Sequence, residues 1–357
     1  MNSLFTPIRL RDLEIRNRVW MPPMCQYHAT DGLPEDWHFV HYGARAAGGY
    51  GLIIAEATGI VPEGRISPAC TGLWNDEQEA AWSRIVSFVH SQGAKMGIQL
   101  NHAGRKASTI PWLPGRGDGS VREGGWETVG PSAVAQEGID PPREMTLEEI
   151  QALPGQFAAA ASRAVRADFD TVELHGAHGY LLHQFLTPLA NHRTDEWGGS
   201  FENRTRLFRA VARAVRGVLP EGMPLLVRLS ATDWIDGAWD LEQSVALASL
   251  LIDDGVDLID VSTGGAANAR IPVGPGFQVE FASEIRRRSG MPTAAVGVIT
   301  EPEQALAIVE SGDADAVLIG RAGLRDPSWA LRAAHESGLD RSEIPYPDSY
   351  WRASWRR

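Results

Sequence analysis

Two imidazoles and a phenol fall within six consecutive residues, His175-Gly176-Ala177-His178-Gly179-Tyr180. This segment directly follows Asp170-Thr171-Val172-Glu173-Leu174, a short run that is typical of a buried strand. Two glycines allow the backbone to turn, so the three side chains are able to converge on one ligand oxygen and its neighbouring carbon. The residue types and their spacing indicate a reaction centre at the end of a strand.

His175 and His178 are three residues apart, a spacing that also raises the possibility of a zinc site. Zinc needs a third protein ligand, which no Cys-rich or His-Glu-x-x-His pattern supplies, and Glu173 is expected to point away from the neighbours of His175. Two core histidines with satisfied hydrogen bonds are a further alternative. We favour a pair that donates hydrogen bonds to a carbonyl or phenolate oxygen, and we expect no metal.

Tyr180 is the candidate proton donor of this cluster. A free phenol has a pKa of about 10, so the side chain is protonated at neutral pH and suits general-acid work. The alternative is a tyrosine that only packs in the mouth of the fold.

Eight short β-rich runs alternate with amphipathic helical patterns along the chain. The predicted strands are Arg18 to Pro22, Gly51 to Ala57, Lys95 to Asn101, Thr171 to His175, Leu225 to Ser230, Leu258 to Ser262, Thr293 to Gly297 and Ala316 to Gly320. The predicted helices are Asp76 to Gln92, Thr146 to Ala167, Ser200 to Leu219, Asp240 to Asp254, Gln278 to Ser289, Glu301 to Ser311 and Asp326 to Ser337. This alternation predicts an α/β fold, a (β/α)8 TIM barrel formed by one domain over residues 1–357.

A doubly wound open sheet is the alternative fold. No Gly-x-Gly-x-x-Gly motif follows an early strand, which weakens that alternative. Residues 103–143 form a long excursion after the third strand, expected to build or cover the site, with a disordered surface loop as the alternative. The aromatic and basic tail from Ile344 onward either packs on its own barrel or reaches a partner subunit.

Charge and composition exclude several classes of function. A formal net charge of -12 argues against nonspecific nucleic-acid binding, and no run of about 18 apolar residues is present to span a membrane. The first residues lack the pattern of a signal peptide, so we expect a cytoplasmic protein. Two cysteines, Cys25 and Cys70, are too few for a disulfide framework or a four-cysteine iron–sulfur site, and both are expected to be reduced thiols.

Candidate binding residues fall at the carboxyl ends of the predicted strands, where barrels place their sites. Gly320-Arg321, together with Gly297, matches the phosphate site that many barrels form after strands seven and eight. Arg228 lies on an interior-facing strand and needs an anionic or electron-rich partner. The edge of a flavin ring and an internal salt bridge are the two candidates for that partner.

Taken together, these motifs resemble the Old Yellow Enzyme family of FMN-dependent ene-reductases. Within it they are most similar to the bacterial NADPH dehydrogenases and xenobiotic reductases that carry a cysteine beside the flavin. The resemblance extends almost from end to end and rests on Leu4 to Ile8, Arg16 to Arg18, Pro22 to Tyr27, Gln99 to Lys106, His175 to Leu181, Gln184 to Leu186, Asn191 to Asp195, Trp197 to Ser200 and Glu202 to Arg204.

The resemblance implies tightly bound FMN and NADPH as the hydride donor. The FMN-binding positions that it implies are Pro22, Pro23, Met24, Cys25, Ala57, Gln99, Arg228, Gly297, Gly320 and Arg321. Cys25 is expected to adjust the flavin potential and the fit of the substrate, with a small buried apolar residue as the alternative.

The resemblance also implies roles at the substrate. His175 and His178 hold its activating oxygen, Tyr180 protonates the carbon α to that oxygen, and Tyr27 contributes a second hydroxyl. Arg352 is expected to enter the site of a neighbouring subunit in a homodimer or homotetramer.

The implied reaction is a ping-pong reduction. NADPH reduces FMN, and the activated C=C bond of an α,β-unsaturated carbonyl compound or a nitroalkene is then reduced in the same pocket. Two rival readings are a dienoyl-CoA or bile-acid type reductase, which needs an iron–sulfur cluster and further domains, and a non-catalytic flavin- or phosphate-binding barrel.

Overall fold

The structure is a computed structural model that describes residues 3–355. Eight parallel strands close into a barrel, each pairing with the next along the chain and the last pairing with the first. The barrel strands, first to eighth, are Val19–Met21, Leu52–Gly59, Lys95–Asn101, Thr171–Gly176, Leu225–Ser230, Leu258–Ser262, Thr293–Ala295 and Ala316–Leu318. The predicted TIM barrel is confirmed, and the open doubly wound sheet is excluded.

Helices between the strands cover the outside of the barrel. The longer ones are Asp36–Ala47, Asp76–Ser91, Leu147–Arg166, Phe201–Arg216, Leu241–Asp253, Val279–Ser289, Pro302–Glu310 and Trp329–Glu336, with shorter helices at Leu181–Leu186 and Arg321–Arg325. Four of them begin after a side chain that accepts a hydrogen bond from the backbone N–H three residues further on, namely Asn75, Thr146, Ser200 and Asp240.

The helix Asp36–Ala47 was not predicted from the sequence. Its buried positions include His38, His41, Tyr42 and Arg45, so its inward face lacks the apolar periodicity that identifies a helix. Within residues 3–355, no helix is both long and apolar enough to cross a membrane.

The barrel interior is apolar at the amino-terminal end of its strands. The side chains of this layer are Trp20, Leu52, Ile54, Leu226, Leu258, Ala294, Ala316 and Leu318. An antiparallel hairpin of Ile8–Leu10 and Leu13–Ile15 packs its own leucine and isoleucine side chains on the same layer. Because this end is closed by apolar side chains, polar chemistry is confined to the carboxyl-terminal mouth.

The excursion after the third strand covers one side of that mouth. Its Trp126 packs against a cluster that includes Ala57 and Cys70, and the indole Nε1–H donates to the carbonyl of Glu63 at 2.8 Å. Arg105 donates to the carbonyl of Val134 at 3.1 Å. The excursion is therefore part of the wall of the mouth, as expected.

The tail lies at the opposite end of the barrel. Residues 345–349 share a groove with Arg16 and Gln92, which stand just before the first and third strands. Ile344 packs on Leu331 of the last long helix. Within its own subunit the tail therefore packs on the barrel, far from the mouth.

Candidate active site

The turn after the fourth strand is shaped by two glycines that no other residue can replace without displacing a neighbour. A Cβ atom on Gly176 would lie 2.4 Å from the ring of Phe208. Gly179 has a φ of +74°, and its Cβ atom would lie 2.3 Å from the carbonyl oxygen of Gly265. These close approaches fold the turn tightly against the next two strand ends and aim its side chains into the mouth.

The structure brings the two imidazoles and the phenol together, as the sequence predicted. The ring centroids of His175 and His178 are 5.2 Å apart and perpendicular, and those of His175 and Tyr180 are 4.7 Å apart. Nδ1 of His175 accepts from the N–H of Ala177 at 3.3 Å, so the neutral ring carries its proton on Nε2. Nε2 of His178 lies 2.7 Å from Oγ of Ser262.

Burial sets the protonation states of this cluster. It lowers the pKa of both His175 and His178 well below the usual range, and the nearby cation of Arg228 lowers them further. It also raises the pKa of Tyr180 well above that of a free phenol. At neutral pH the cluster is therefore uncharged, and its N–H and O–H groups are able to donate hydrogen bonds to an oxygen that gains negative charge.

Lys106 is a site residue that the sequence reasoning missed. Its Nζ donates to the carbonyls of His178 at 2.8 Å and Gly265 at 3.2 Å, and it lies 5.1 Å from the centroid of the Tyr180 ring. Burial, followed by the charge of Arg105, lowers the pKa of Lys106 to about 8. This ammonium group fixes the turn and places a positive charge beside the phenol.

A cavity of about 580 Å³ opens beside the turn. This volume is typical of small-molecule sites, which span about 300–1,000 Å³. Seven of the predicted flavin positions line it, namely Pro22, Pro23, Met24, Arg228, Gly297, Gly320 and Arg321. Ser262 also lines it, and its hydrogen-bonding contact with His178 joins the cavity to the turn.

Cys25, Ala57 and Tyr27 stand at an apolar cluster beside the same mouth. Buried Ala57 and Cys70 form its core with Ile66, Ala103 and Ala107, and half-buried Cys25, Tyr27 and Tyr180 pack against it. Burial raises the pKa of Tyr27, so this hydroxyl is also protonated.

A polar layer lies inside the barrel between the apolar layer and the mouth. Arg228 forms an ion pair with Asp260, with Nε and Oδ2 2.9 Å apart, and Gln99 donates to Glu173 at 2.7 Å. The internal salt bridge considered for Arg228 is therefore present, and the same guanidinium also lines the cavity. The guanidinium of Arg228 thus has Asp260 as its counter-ion and also faces the cavity, where a ligand would contact it.

The expected direction of Glu173 is wrong. Positions two apart on a strand face the same side, so Glu173 and His175 both point into the barrel, where Glu173 is fully buried. Burial and then the charge of Asp260 raise the pKa of Glu173 well above its usual range, whereas burial raises that of Asp260 to about 6 against the opposing charge of Arg228. Because only Asp260 has the cation as an ion-pair partner, Glu173 holds the proton of this pair.

Arg352 is the one predicted site residue that the structure does not bring to the mouth of its own barrel. It lies in the exposed turn Asp348–Ala353 of the tail, which packs at the amino-terminal end of the strands.

With the geometry in place, comparison with known proteins identifies the family. The chain matches the NADH:flavin oxidoreductase / NADH oxidase family over residues 3–340. The chain belongs to this family. It is 46% identical to the NADPH dehydrogenase of Listeria monocytogenes serovar 1/2a, over 100% of both chains.

Two solved structures of the same family have the same fold. Morphinone reductase in complex with tetrahydroNAD is 31% identical, with a TM-score of 0.79 over 97% of this chain and 96% of that one. The old yellow enzyme homologue from Zymomonas mobilis is 30% identical, with a TM-score of 0.78 over 99% of this chain and 100% of that one. The resemblance noted in the sequence is therefore confirmed, and the chain is a flavin-dependent oxidoreductase of the Old Yellow Enzyme type.

The cavity of this family member fits the flavin mononucleotide and nicotinamide cofactors of the class. Three of the described lining residues are arginines, Arg228, Arg321 and Arg325, and none is acidic, so the cavity suits an anionic ligand despite the acidic chain. Gly320 leaves room there, since a Cβ atom on it would meet nothing nearer than Pro22 Cγ at 3.7 Å.

The proton that we assign to Glu173 in the Glu173–Asp260 pair should make the stability of the fold depend on pH. A carboxyl group whose pKa is raised on folding stabilises the fold below its unfolded pKa, and this contribution is lost as the pH rises to the folded value, about 1.36 kcal/mol for each unit of pKa. We expect Glu173→Gln to reduce the loss of thermal stability between pH 5 and pH 8, measured by the unfolding midpoint at each pH.

Asp260→Asn is the matched control for this test. It leaves Arg228 buried without a counter-ion, which is expected to cost about 3–5 kcal/mol. Equal destabilisation by the two substitutions, with the pH dependence unchanged, would show that Glu173 is ionised.

Proposed function

We propose that the protein is an NADPH-dependent ene-reductase that reduces the activated C=C bond of α,β-unsaturated carbonyl compounds or nitroalkenes. The observation that carries this proposal is the uncharged donor cluster of His175, His178 and Tyr180 beside a cationic cavity. The NADPH dehydrogenase similarity supports NADPH as the donor. We further propose that the chain acts as one domain in the cytoplasm.

The cavity residues are proposed to hold FMN. Pro22, Pro23 and Met24 would hold the ring with their apolar surface, and Ala57, Cys25 and Gln99 would contact it as well. Arg228 is placed for an electron-rich ring edge, and Gly297, Gly320 and Arg321 for the phosphate. When bound, FMN supplies the chemistry of hydride transfer from the nicotinamide to the alkene.

His175 and His178 are proposed to hold the activating oxygen of the substrate. Two neutral imidazoles are able to donate two hydrogen bonds, which strengthen as that oxygen becomes negative and thereby polarise the conjugated C=C bond.

Tyr180 is proposed to deliver the proton to the carbon α to that oxygen. Burial keeps the phenol protonated until a basic carbon forms, and the tyrosinate left behind has the ammonium group of Lys106 above its ring. Tyr27 is proposed to position the substrate from the other side of the mouth. Tyr180 thereby supplies the acid, and Tyr27 orients the substrate towards it.

Tyr180→Phe tests the acid. We expect the rate of alkene reduction to fall by roughly 10²–10⁴-fold, the usual contribution of a positioned acid, while flavin reduction by NADPH is unchanged. Anaerobic stopped-flow absorbance, with 2-cyclohexenone added in the second half-reaction, measures the two steps separately.

Two outcomes would contradict the assignment. Turnover and ligand binding that survive His175→Ala with His178→Ala would remove the oxygen-binding role. A yellow protein that does not bleach with NADPH, or does not recolour with an enone, would favour the non-catalytic flavin barrel.

Lys106 gives a pH test of the same step. Its ammonium group loses its proton as the pH rises through about 8, so the second-order rate constant for alkene reduction should fall above that pH. Lys106→Met should be roughly tenfold slower, equivalent to about 1.4 kcal/mol, and lack this alkaline limb. In Lys106→Arg the rate constant should stay constant to higher pH, because arginine keeps its proton. If Lys106→Met still loses activity above about pH 8, the loss belongs to another group.

Arg352 is proposed to act at a neighbouring subunit in a homodimer or homotetramer. If so, an inactive Tyr180→Phe protein mixed with an Arg352→Ala protein should regain activity on subunit exchange, because one site of each hybrid keeps both residues. Exchange is checked by mass spectrometry of the intact assembly. Hybrids no more active than the separate variants would place Arg352 outside the site.

A further inference from the structure

Three potential metal ligands meet at the wall of the mouth, from parts of the chain that are distant in sequence. One ligand atom each of Cys25, Glu56 and Cys70 lies within 4.8 Å of the other two. Glu56 and Cys70 are fully buried, and Cys25 is half-buried at the side of the flavin cavity. They are supplied by the loop after the first strand, the second strand and the loop that follows it.

Glu56 reaches this place because the second strand is irregular there. Its pairing with the third strand shifts register between Ala55 and Thr58, so Glu56 lies outside the regular ladder. Irregularities of this kind redirect side chains and are common beside active sites.

The carboxyl group of Glu56 contacts a backbone N–H and the imidazole ring of His38. It accepts from the N–H of Gln26 at 3.0 Å and lies 3.2 Å from Nε2 of His38. Nδ1 of His38 accepts from a backbone N–H at 2.9 Å, so Nε2 is the ring nitrogen that faces the carboxyl group. Within residues 3–355, no lysine or arginine forms an ion pair with Glu56, so His38 is the basic side chain that contacts this carboxyl group.

This set of donors suits a soft or borderline divalent cation. Zinc binds thiolate sulfur at about 2.3 Å and carboxylate oxygen at about 2.0–2.2 Å, and a tetrahedral ion needs its ligands roughly 3.5–3.8 Å apart. Side-chain movements on the order of 1 Å would bring the three atoms to that spacing. The histidine–carboxylate contact is also typical of the partners that orient a metal ligand.

We propose that Cys25, Cys70 and Glu56 form a binding site for a divalent cation of the zinc and cadmium class, open to the mouth at its fourth position. Binding replaces the two thiol protons, so one cation enters as two protons leave to solvent and no electron is transferred. The sequence led us to expect no metal, because no sequence pattern supplied the histidine pair with a third ligand.

Occupation of the site should inhibit the enzyme reversibly. Cys25 packs on the same cluster as Tyr27 and Tyr180, so a cation there places charge and a bound water where the substrate must enter. This consequence rests on the proposed function, whereas binding itself does not.

Cadmium is the probe for binding, because its thiolate complexes absorb in the ultraviolet. The flavin-loaded protein, reduced at its thiols and kept anaerobic, should bind one equivalent with a charge-transfer band in the difference spectrum. Calorimetry in buffers of different ionisation enthalpy should report about two protons released for each ion. Since the chain has only two cysteines, that band can arise from no other pair of thiols.

Cys70→Ser and Glu56→Gln test the individual ligands. We expect Cys70→Ser to weaken cadmium binding by at least about 100-fold, and Glu56→Gln by at least about tenfold, with flavin content and thermal unfolding confirming that each variant is folded. Ser67→Ala is the matched control, because it removes the 3.2 Å contact to Cys70 without removing a ligand and should bind cadmium normally.

Three outcomes would overturn the proposal. These are the absence of a thiolate band in the wild-type protein, an unchanged affinity in Cys70→Ser, and a pair of cysteines that is already a disulfide in the purified protein. Inhibition of alkene reduction that a chelator reverses would support the proposed consequence. Binding without inhibition would leave the site in place and refute only its effect on catalysis.

Discussion

One buried cation, the guanidinium of Arg228, sets the electrostatics of the active site. It lies on the fifth strand with its Cα opposite both His175 of the fourth strand and Asp260 of the sixth. Burial first, and then the charge of Arg228, lowers the pKa of both histidines, and an ion pair with Asp260 stabilises the guanidinium inside the barrel. The neutral state of His175 and His178 and the positive charge of the cavity therefore both depend in part on Arg228.

That arrangement requires neighbouring strand ends to meet within hydrogen-bonding distance. Ser230 accepts from the N–H of His178 at 3.0 Å and donates to the carbonyl of Gly264 at 2.8 Å, and Lys106 bridges the same two segments. Gly176 and Gly179 permit the approach, because a side chain at either would displace a neighbour. The imidazoles are thus positioned by side-chain contacts of Ser230 and Lys106 with the backbone of neighbouring strand ends, which explains how a turn is able to hold reactive groups rigidly.

The barrel and the histidine cluster were predictable because their signals are local. Apolar strands, helix caps such as Thr146 and the glycine-spaced imidazoles each occupy one short segment. The helix at Asp36–Ala47 was missed because its buried face is polar, and Glu173 was misdirected although its spacing from His175 places both on one face. The positions of Lys106 and of the Cys25–Glu56–Cys70 group depend on contacts between segments that are distant in the sequence. Neither hydrophobic periodicity nor the spacing of residues along the chain predicts such contacts.

The same burial acts on the phenol and on the thiols, with opposite chemical consequences. Exclusion of water raises the pKa of Tyr180, so the phenol keeps a proton that it is able to give to carbon. The hydrogen bond with Cys70, and then burial, raise the pKa of Cys25, so this thiol stays neutral and weakly nucleophilic beside the flavin cavity. A cation bound by the thiols and Glu56 would reverse this state, because it stabilises thiolates that burial alone disfavours. The wall of the mouth would then hold a cation and two thiolates in place of two neutral thiols, with the same net charge and without any change in the fold.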